Sequence, residues 1–69
     1  MEELILREDY IKLGQALKAT GLVDSGVTAK HIIVDGLVKV NEKVEYQRGK
    51  KLYDGDIIEY ESKIIKIKK

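Results

Sequence analysis

With 69 residues, the chain has room for one small domain, and a domain of this size buries only about 60% of the surface that its unfolded chain exposes. It has no Cys and a single His, which excludes a disulfide framework and a metal cluster built on Cys or His. The net charge of +1 argues against binding of nucleic acid through bulk charge, yet residues 39–69 carry nine basic and six acidic side chains against four and six in residues 1–38.

The first part of the chain predicts a strand and a helix. The apolar run within residues 2–7 indicates a short strand. Apolar residues at helical spacing between Tyr10 and Thr20 indicate a helix of about three turns, capped by Asp9 and ended at Gly21. Gly14 inside this helix costs about 1 kcal/mol relative to Ala, which predicts that a neighbour, most simply a second helix, packs closely against its backbone.

A second helix follows a short turn. Asp24 or Ser25 can cap its start, and Gly36 can end it just after Asp35. Its apolar residues Ala29, Ile32 and Ile33 fall on one face, whereas Lys30 and His31 lie toward another. The two helices are therefore expected to form a pair.

The rest of the chain predicts strands. Leu37–Asn41 alternates with period two, residues 41–43 turn the chain into an extended segment at 44–46, and a polar loop follows at 47–51. After a turn at Asp54–Gly55, residues 56–61 and 63–68 alternate apolar and charged side chains as a hairpin. Without a linker or repeat, we expect an α+β fold in a single domain over residues 1–69.

No catalytic group assembles from the sequence. His31 is the one His of the chain and has no Cys beside it to act as a nucleophile, and the carboxylates are scattered among Lys and Arg as in solvated surface pairs. The glycines do not form a phosphate-binding Gly-rich loop, because each is expected at a turn, a cap or a helix crossing. We therefore expect no enzyme activity, metal, cofactor or small-molecule substrate. Without an apolar run for a signal peptide or membrane span, we expect a cytoplasmic location.

Groups suited to binding phosphate are concentrated in two parts of the chain, the start of the second helix and the loop at 48–51. Ser25 and Thr28 offer hydroxyls beside the free amides of the second helix, and Gly26 allows close approach. The strongest local signal is the Arg48–Gly49–Lys50–Lys51 loop, which places three cations around a residue without a side chain. Each feature alone also fits helix capping, a turn or a soluble strand edge, and Tyr46 and Tyr53 fit rim positions as well as base stacking.

The same residues form an ordered series of motifs. These are Lys12-Leu13-Gly14-Gln15-Ala16-Leu17-Lys18, Ser25-Gly26-Val27-Thr28-Ala29-Lys30-His31-Ile32-Ile33, Gly36-Leu37-Val38-Lys39-Val40-Asn41 and Asp54-Gly55-Asp56. Over residues 10–60, the chain resembles the S-four (S4) RNA-binding domain, especially its stand-alone YaaA-like small proteins. The resemblance implies an αL motif, in which a two-helix pair packs on a small, curved, mostly antiparallel sheet and contacts structured RNA.

Candidate RNA-binding residues come from the residue pattern and from positions that match the family: Lys12, Lys18, Ser25, Gly26, Thr28, Lys30, Lys39, Asn41, Arg48, Gly49, Lys50 and Lys51. Two positions depart from the family pattern. Gly26 stands where Arg often follows the Ser, which shifts the expected binding toward the Arg48–Lys51 loop. Glu42 stands where Gly commonly follows Val-Asn, which leaves the turn type open.

The function expected from these features is recognition of structured RNA. The resemblance implies ribosomal RNA or a ribosomal particle as the leading partner and a role in ribosome assembly or translation. The protein is expected to act as a monomer. The alternative is a protein-interaction adaptor without intrinsic affinity for RNA. The adaptor hypothesis predicts an exposed apolar patch near Leu22, Val23 and Val27.

Overall fold

A computed structural model describes residues 2–69 and shows an α+β fold, as the sequence predicts. In chain order the elements are β1 (Glu2–Ile5), β2 (Ile11–Lys12), α1 (Leu13–Ala19), α2 (Gly26–Val34), β3 (Lys39–Val40), β4 (Lys43–Val44), β5 (Lys51–Leu52), β6 (Ile57–Tyr60) and β7 (Lys63–Lys68). Among the described residues no helix is long and apolar enough to cross a membrane.

The strands form two sheets. A five-stranded sheet has the order β1-β7-β6-β3-β4, and β2 pairs with β5 in a separate two-stranded sheet. All pairings are antiparallel except that of β1 with β7, in which Glu2 lies beside Ile65 and Ile5 beside Lys68. The prediction of a mostly antiparallel sheet is therefore confirmed.

The core is one cluster of aliphatic side chains between the helix pair and the sheets. Leu13 and Leu17 from α1, Ile33 from α2, and Ile65 and Ile67 from β7 are fully buried. The period-two pattern of β7 places Ile65 and Ile67 inward, with Lys66 and Lys68 exposed between and after them. Burial of each such side chain contributes about 1.5–3 kcal/mol to the stability of the fold.

The first predicted helix is right in kind but wrong at its start. It begins at Leu13 after Lys12, not at Tyr10, and has seven residues. The preceding Ile11 and Lys12 pair with Leu52 and Lys51 as a strand, because a cross-strand partner far along the chain takes up their backbone groups. Asp9 does not cap the helix: its carboxylate binds the ammonium of Lys69.

The second predicted helix is confirmed from Gly26 to Val34. Ser25 is its N-cap, and Gly36 follows its end with φ +77°, a left-handed conformation that Gly adopts without strain. Near its start, Val23 is buried (6% exposed), Leu22 is half-buried and Val27 is exposed (68%). The apolar patch that the adaptor hypothesis requires is therefore reduced to one exposed side chain.

Two tight hairpins shape the sheet. Asn41 (φ 52°) and Glu42 (φ 72°) form a two-residue turn between β3 and β4, and Glu61 and Ser62 (φ 49° and 67°) do the same between β6 and β7. Both central residues are left-handed, as in type I′ turns, whose twist matches that of the strands. The open turn type at Glu42 is thus resolved. Of the predicted extended segment 44–46, only Val44 lies in a strand, β4 (Lys43–Val44).

Candidate nucleic-acid interface

The loop between β4 and β5 is docked on the start of α1. The amide of Leu13 donates to the carbonyl oxygen of Lys50 (2.8 Å), and the amide of Gly14 donates to that of Arg48 (3.0 Å). Helix starts leave such amides without intrahelical partners, so the loop satisfies two of them. The basic loop is therefore fixed against α1.

Gly14 is the point where Arg48 crosses the helix. A Cβ atom on Gly14 would lie 2.6 Å from Cγ and 3.2 Å from Cδ of Arg48. The prediction that a neighbour packs closely on Gly14 is confirmed, but the neighbour is the side chain of Arg48 and not a second helix. Because Cγ lies near the backbone of Arg48, that side chain could not keep its position beside a larger residue.

The contact opens onto a cavity of about 370 Å³ that we call the basic groove. Its lining residues come from α1 and the residue before it, from α2 and from the loop: Lys12, Gly14, Gln15, Lys18, Gly26, Ala29, Arg48 and Gly49. Five of these were candidates from the sequence, namely Lys12, Lys18, Gly26, Arg48 and Gly49. The structure thus brings together three cations and three glycines from segments far apart in the chain.

Among residues 2–69, the cations of this surface have no acidic partner within 4.0 Å. Within residues 2–69, the one ion pair with an N–O distance of 4.0 Å or less joins Lys69 and Asp9. Lys12 lies directly opposite Lys51 in the β2–β5 pair, an arrangement of like charges that destabilises a sheet. A bound anion would relieve this repulsion.

The start of α2 adds donors to the same groove. The Ser25 hydroxyl accepts a hydrogen bond from the Thr28 amide (3.2 Å) and lies 3.0 Å from the Thr28 hydroxyl. The two hydroxyls are therefore hydrogen-bonded within the helix cap. The amides of Gly26 and Val27 belong to the first turn, which has no intrahelical acceptors for them, and Gly26 borders the groove.

Two comparisons with known proteins bear on this site. A family model described as S4 domain matches residues 4–68. The chain belongs to the S4 domain family. It is also 42% identical over 53 residues to the probable ribosome maturation protein RlbA of Bacillus subtilis (strain 168), a match that covers 77% of this chain and 75% of that protein. The family predicted from the motifs is confirmed, and family and relative both point to a non-enzymatic, RNA-binding role.

Some candidate residues of this S4 domain lie outside the basic groove. Lys30 is exposed on α2, and Lys39 is exposed on β3 between Val44 and Glu59. Asn41 has partners within the chain for both ends of its amide: Nδ2 donates to Asp56 (3.0 Å), and Oδ1 accepts from the Ile57 amide (2.9 Å). The structure gives Asn41 a role in joining β3 to β6.

The two lysines of the basic loop, Lys50 and Lys51, have different surroundings. Lys50 is exposed and contributes its carbonyl group to the start of α1, whereas Lys51 lies on β5. Nζ of Lys51 is 4.7 Å from the centre of the Tyr10 ring, and that ring lies 6.0 Å from Tyr53 at a tilt of 49°. Lys51 thus forms a cation–π contact beside the groove.

Gln15 and Tyr10 are the site residues that the sequence interpretation missed. Gln15 has a signal in the spacing, because it lies three residues from both Lys12 and Lys18 and completes one exposed ridge along α1. Its side-chain oxygen accepts from the Lys12 amide at 3.4 Å. Tyr10 has no local signal, since its neighbours Lys51 and Tyr53 are distant in sequence.

The two side chains with a shifted pKa, Asp9 and Tyr60, do not line the basic groove. The bond from Lys69 lowers the pKa of Asp9. Loss of solvation, followed by the negative charge of Glu61, raises the pKa of Tyr60. The part of the chain that the structure describes brings together no group of His, Asp and Glu side chains suited to a metal ion. The chemistry that the site offers is binding of anions.

Proposed function

We propose that this S4 domain binds the phosphate backbone of structured RNA in the basic groove. The observation that carries the proposal is the convergence of Lys12, Lys18 and Arg48 around one cavity, with no carboxylate within 4.0 Å of these cations among residues 2–69. Exposed cations of globular proteins are commonly balanced by nearby acids, so three unpaired ones around a groove favour an anionic ligand. Membership in the S4 domain family supports RNA as that ligand.

Recognition in this groove is by shape. The cations neutralise phosphates, and the amides at the start of α2 fix the position of one of them. Gly26 and Gly49 have open space where a Cβ would stand, so the RNA backbone can approach the peptide itself. An A-form helix presents phosphates and 2′-hydroxyls in a regular array, which suits a rigid groove with few groups for reading bases. Ser25, the N-cap of α2, accepts from the Thr28 amide and so fixes the first turn of the helix that carries these amides.

Ribosomal RNA, alone or in an assembling ribosomal particle, is the proposed partner. The support is the probable ribosome maturation protein of B. subtilis, which this chain resembles over three quarters of its length. We propose that the protein acts in the cytoplasm as a monomer and as one domain over residues 1–69. In this role it holds RNA without cofactor, small-molecule substrate or catalysis.

The test is a fluorescence-anisotropy titration with folded ribosomal RNA fragments over a series of salt concentrations. The parent should bind with a log–log salt slope of several units, because each neutralised phosphate contributes about 0.7–0.9. Arg48→Ala and Lys18→Ala should each lower the slope by about one such unit and weaken binding on the order of tenfold. Lys30→Ala and Lys39→Ala show whether the contact surface extends beyond the groove.

Lys66→Ala is the matched control. It removes the same charge from β7, on the sheet face opposite to the buried Ile65 and Ile67, and should leave the slope unchanged. Circular dichroism confirms that each variant is folded. A folded parent without affinity for structured RNA at low salt would refute the proposal, and equal losses in Lys66→Ala and Arg48→Ala would refute the assignment to the basic groove.

A further inference from the structure

A second cavity of about 650 Å³ lies on the other side of the α1 ridge, between α1 and β1. Its lining includes the apolar residues Leu4, Ile5 and Ile11, the aromatic residue Tyr10, and Ala19 from α1. We call this cavity the β1 cleft. Its volume is that of a typical small-ligand site, and Ile5 at its edge is 60% exposed. A large apolar side chain on a strand is thus left uncovered beside an open cavity.

The β1 cleft and the basic groove share a wall. Gln15 and Lys18 line both cavities, and both belong to the exposed ridge of α1. They are three residues apart, about 4.5 Å along the helix axis. A nucleotide whose phosphate binds Lys18 in the basic groove can therefore reach across the ridge and place its base in the β1 cleft. Continuity with the groove selects RNA as the occupant of the cleft.

We propose that the β1 cleft holds one unstacked nucleobase of the RNA bound in the basic groove, an inference that rests on the proposed function. The base packs against the aliphatic walls and the Tyr10 ring, as bases do on aromatic side chains of RNA-binding proteins. The Gln15 oxygen already accepts from the Lys12 amide, so its amide nitrogen is the end that donates to a carbonyl of the base.

Charge at the cleft fits the same occupant. Arg7 and Lys18 border it, and neither has a carboxylate within 4.0 Å among residues 2–69. Glu8 lies on the same rim, so the net charge there is positive. An apolar cavity with a cationic rim suits a nucleotide, which combines a flat, weakly polar base with a negative phosphate.

The experiment compares two RNAs with the same stem, one fully paired and one with a single bulged nucleotide. By anisotropy, the parent should bind the bulged RNA on the order of tenfold more tightly, the gain expected from stacking of one base. Ala19→Phe fills the cleft from a position outside the basic groove. This variant should lose the preference for the bulge and keep the affinity for the paired stem.

Val34→Phe is the matched control, because Val34 is exposed on α2 and lines neither cavity. It should retain the preference. A second variant, Ile5→Ser, removes the exposed apolar rim without adding bulk and should lower the preference severalfold. Equal binding of both RNAs by the parent, or a preference that survives in Ala19→Phe, overturns the base site while RNA binding stands. A parent that binds neither RNA at low salt overturns the groove and the cleft together.

Discussion

The backbone of Gly14 and the side chain of Arg48 are in direct contact: a Cβ on Gly14 would lie 2.6 Å from Cγ of Arg48, while the Gly14 amide donates to the Arg48 carbonyl at 3.0 Å. One residue without a side chain thus holds both the loop backbone and its cation at the start of α1. The position of Arg48 in the basic groove depends on Gly14.

Gly14→Ala should therefore weaken RNA binding as much as Arg48→Ala does. The new methyl group displaces the Arg48 side chain, while the better helix propensity of Ala, about 1 kcal/mol, offsets part of the clash and keeps the protein folded. In a double-mutant cycle, Gly14→Ala should add little to Arg48→Ala. Val34→Ala is the matched control, because it also raises helix propensity but lies on α2 and lines neither cavity, so RNA affinity should stay unchanged. Full affinity in a folded Gly14→Ala variant would contradict this dependence.

Glu42→Gly should stabilise the protein. Glu42 has φ 72°, a left-handed conformation that costs a residue with a side chain roughly 1–2 kcal/mol, and Gly adopts it freely. Gly also loses more conformational entropy on folding than Glu, which offsets part of this gain. The free energy of unfolding measured by urea denaturation should therefore rise by about 0.5–1 kcal/mol. Glu59→Gly in β6 should lower it instead, since that residue is in an extended strand. A lower stability of Glu42→Gly would argue against the type I′ turn.

Asn41→Gly should destabilise the protein although it relieves a positive φ of 52°. The change removes the bond to Asp56 and the bond from the Ile57 amide, each worth about 0.5–1.5 kcal/mol. We expect a net loss of about 1 kcal/mol in urea denaturation and unchanged RNA affinity in the folded variant. A large loss of affinity at unchanged stability would instead place Asn41 in the RNA contact surface.

The Asp9–Lys69 pair should give a stability difference that depends on pH. The pKa of Asp9 is lowered in the folded state by the bond from Lys69, so the pair stabilises the fold above the unfolded pKa near 3.9 and loses this effect as the pH falls through the folded pKa. In Lys69→Met, an NMR titration should show the Asp9 carboxyl titrating at higher pH than in the parent. Lys68→Met, which removes a neighbouring exposed cation, should leave the Asp9 midpoint where it is.

Features that depend on neighbours in the chain were predictable. Helix α2 follows from its Ser25 cap, its apolar face and Gly36, all within a dozen residues. The alternation of apolar and charged residues over 63–68 predicted the last strand of the hairpin, but it left open whether Ile64 or Ile65 points inward; the structure buries Ile65 together with Ile67. The loop with Arg48 and Gly49 was recognised as basic, and the motif order indicated the S4 domain that the family comparison confirms.

Features that depend on distant partners were not predictable. The residues before α1 have helical spacing, yet Ile11 and Lys12 pair with Leu52 and Lys51, about forty residues later. Strand β1 was predicted, but its parallel pairing with β7 joins opposite ends of the chain. No local pattern distinguishes these outcomes, because the free energy that decides between helix and strand comes from the partner.

The sequence by itself determined the ends of α2, the apolar faces of the helices and the supply of cations, because each depends on the chemistry of residues within a few positions of one another. Only the tertiary structure decided which of those cations share a groove. Lys12, Lys18 and Arg48 meet because backbone bonds from the start of α1 hold the loop at Gly14, and the β1 cleft exists because β1 pairs with β7. Packing between distant segments sets these positions. The order of charges along the chain carries no information about which segments pack together.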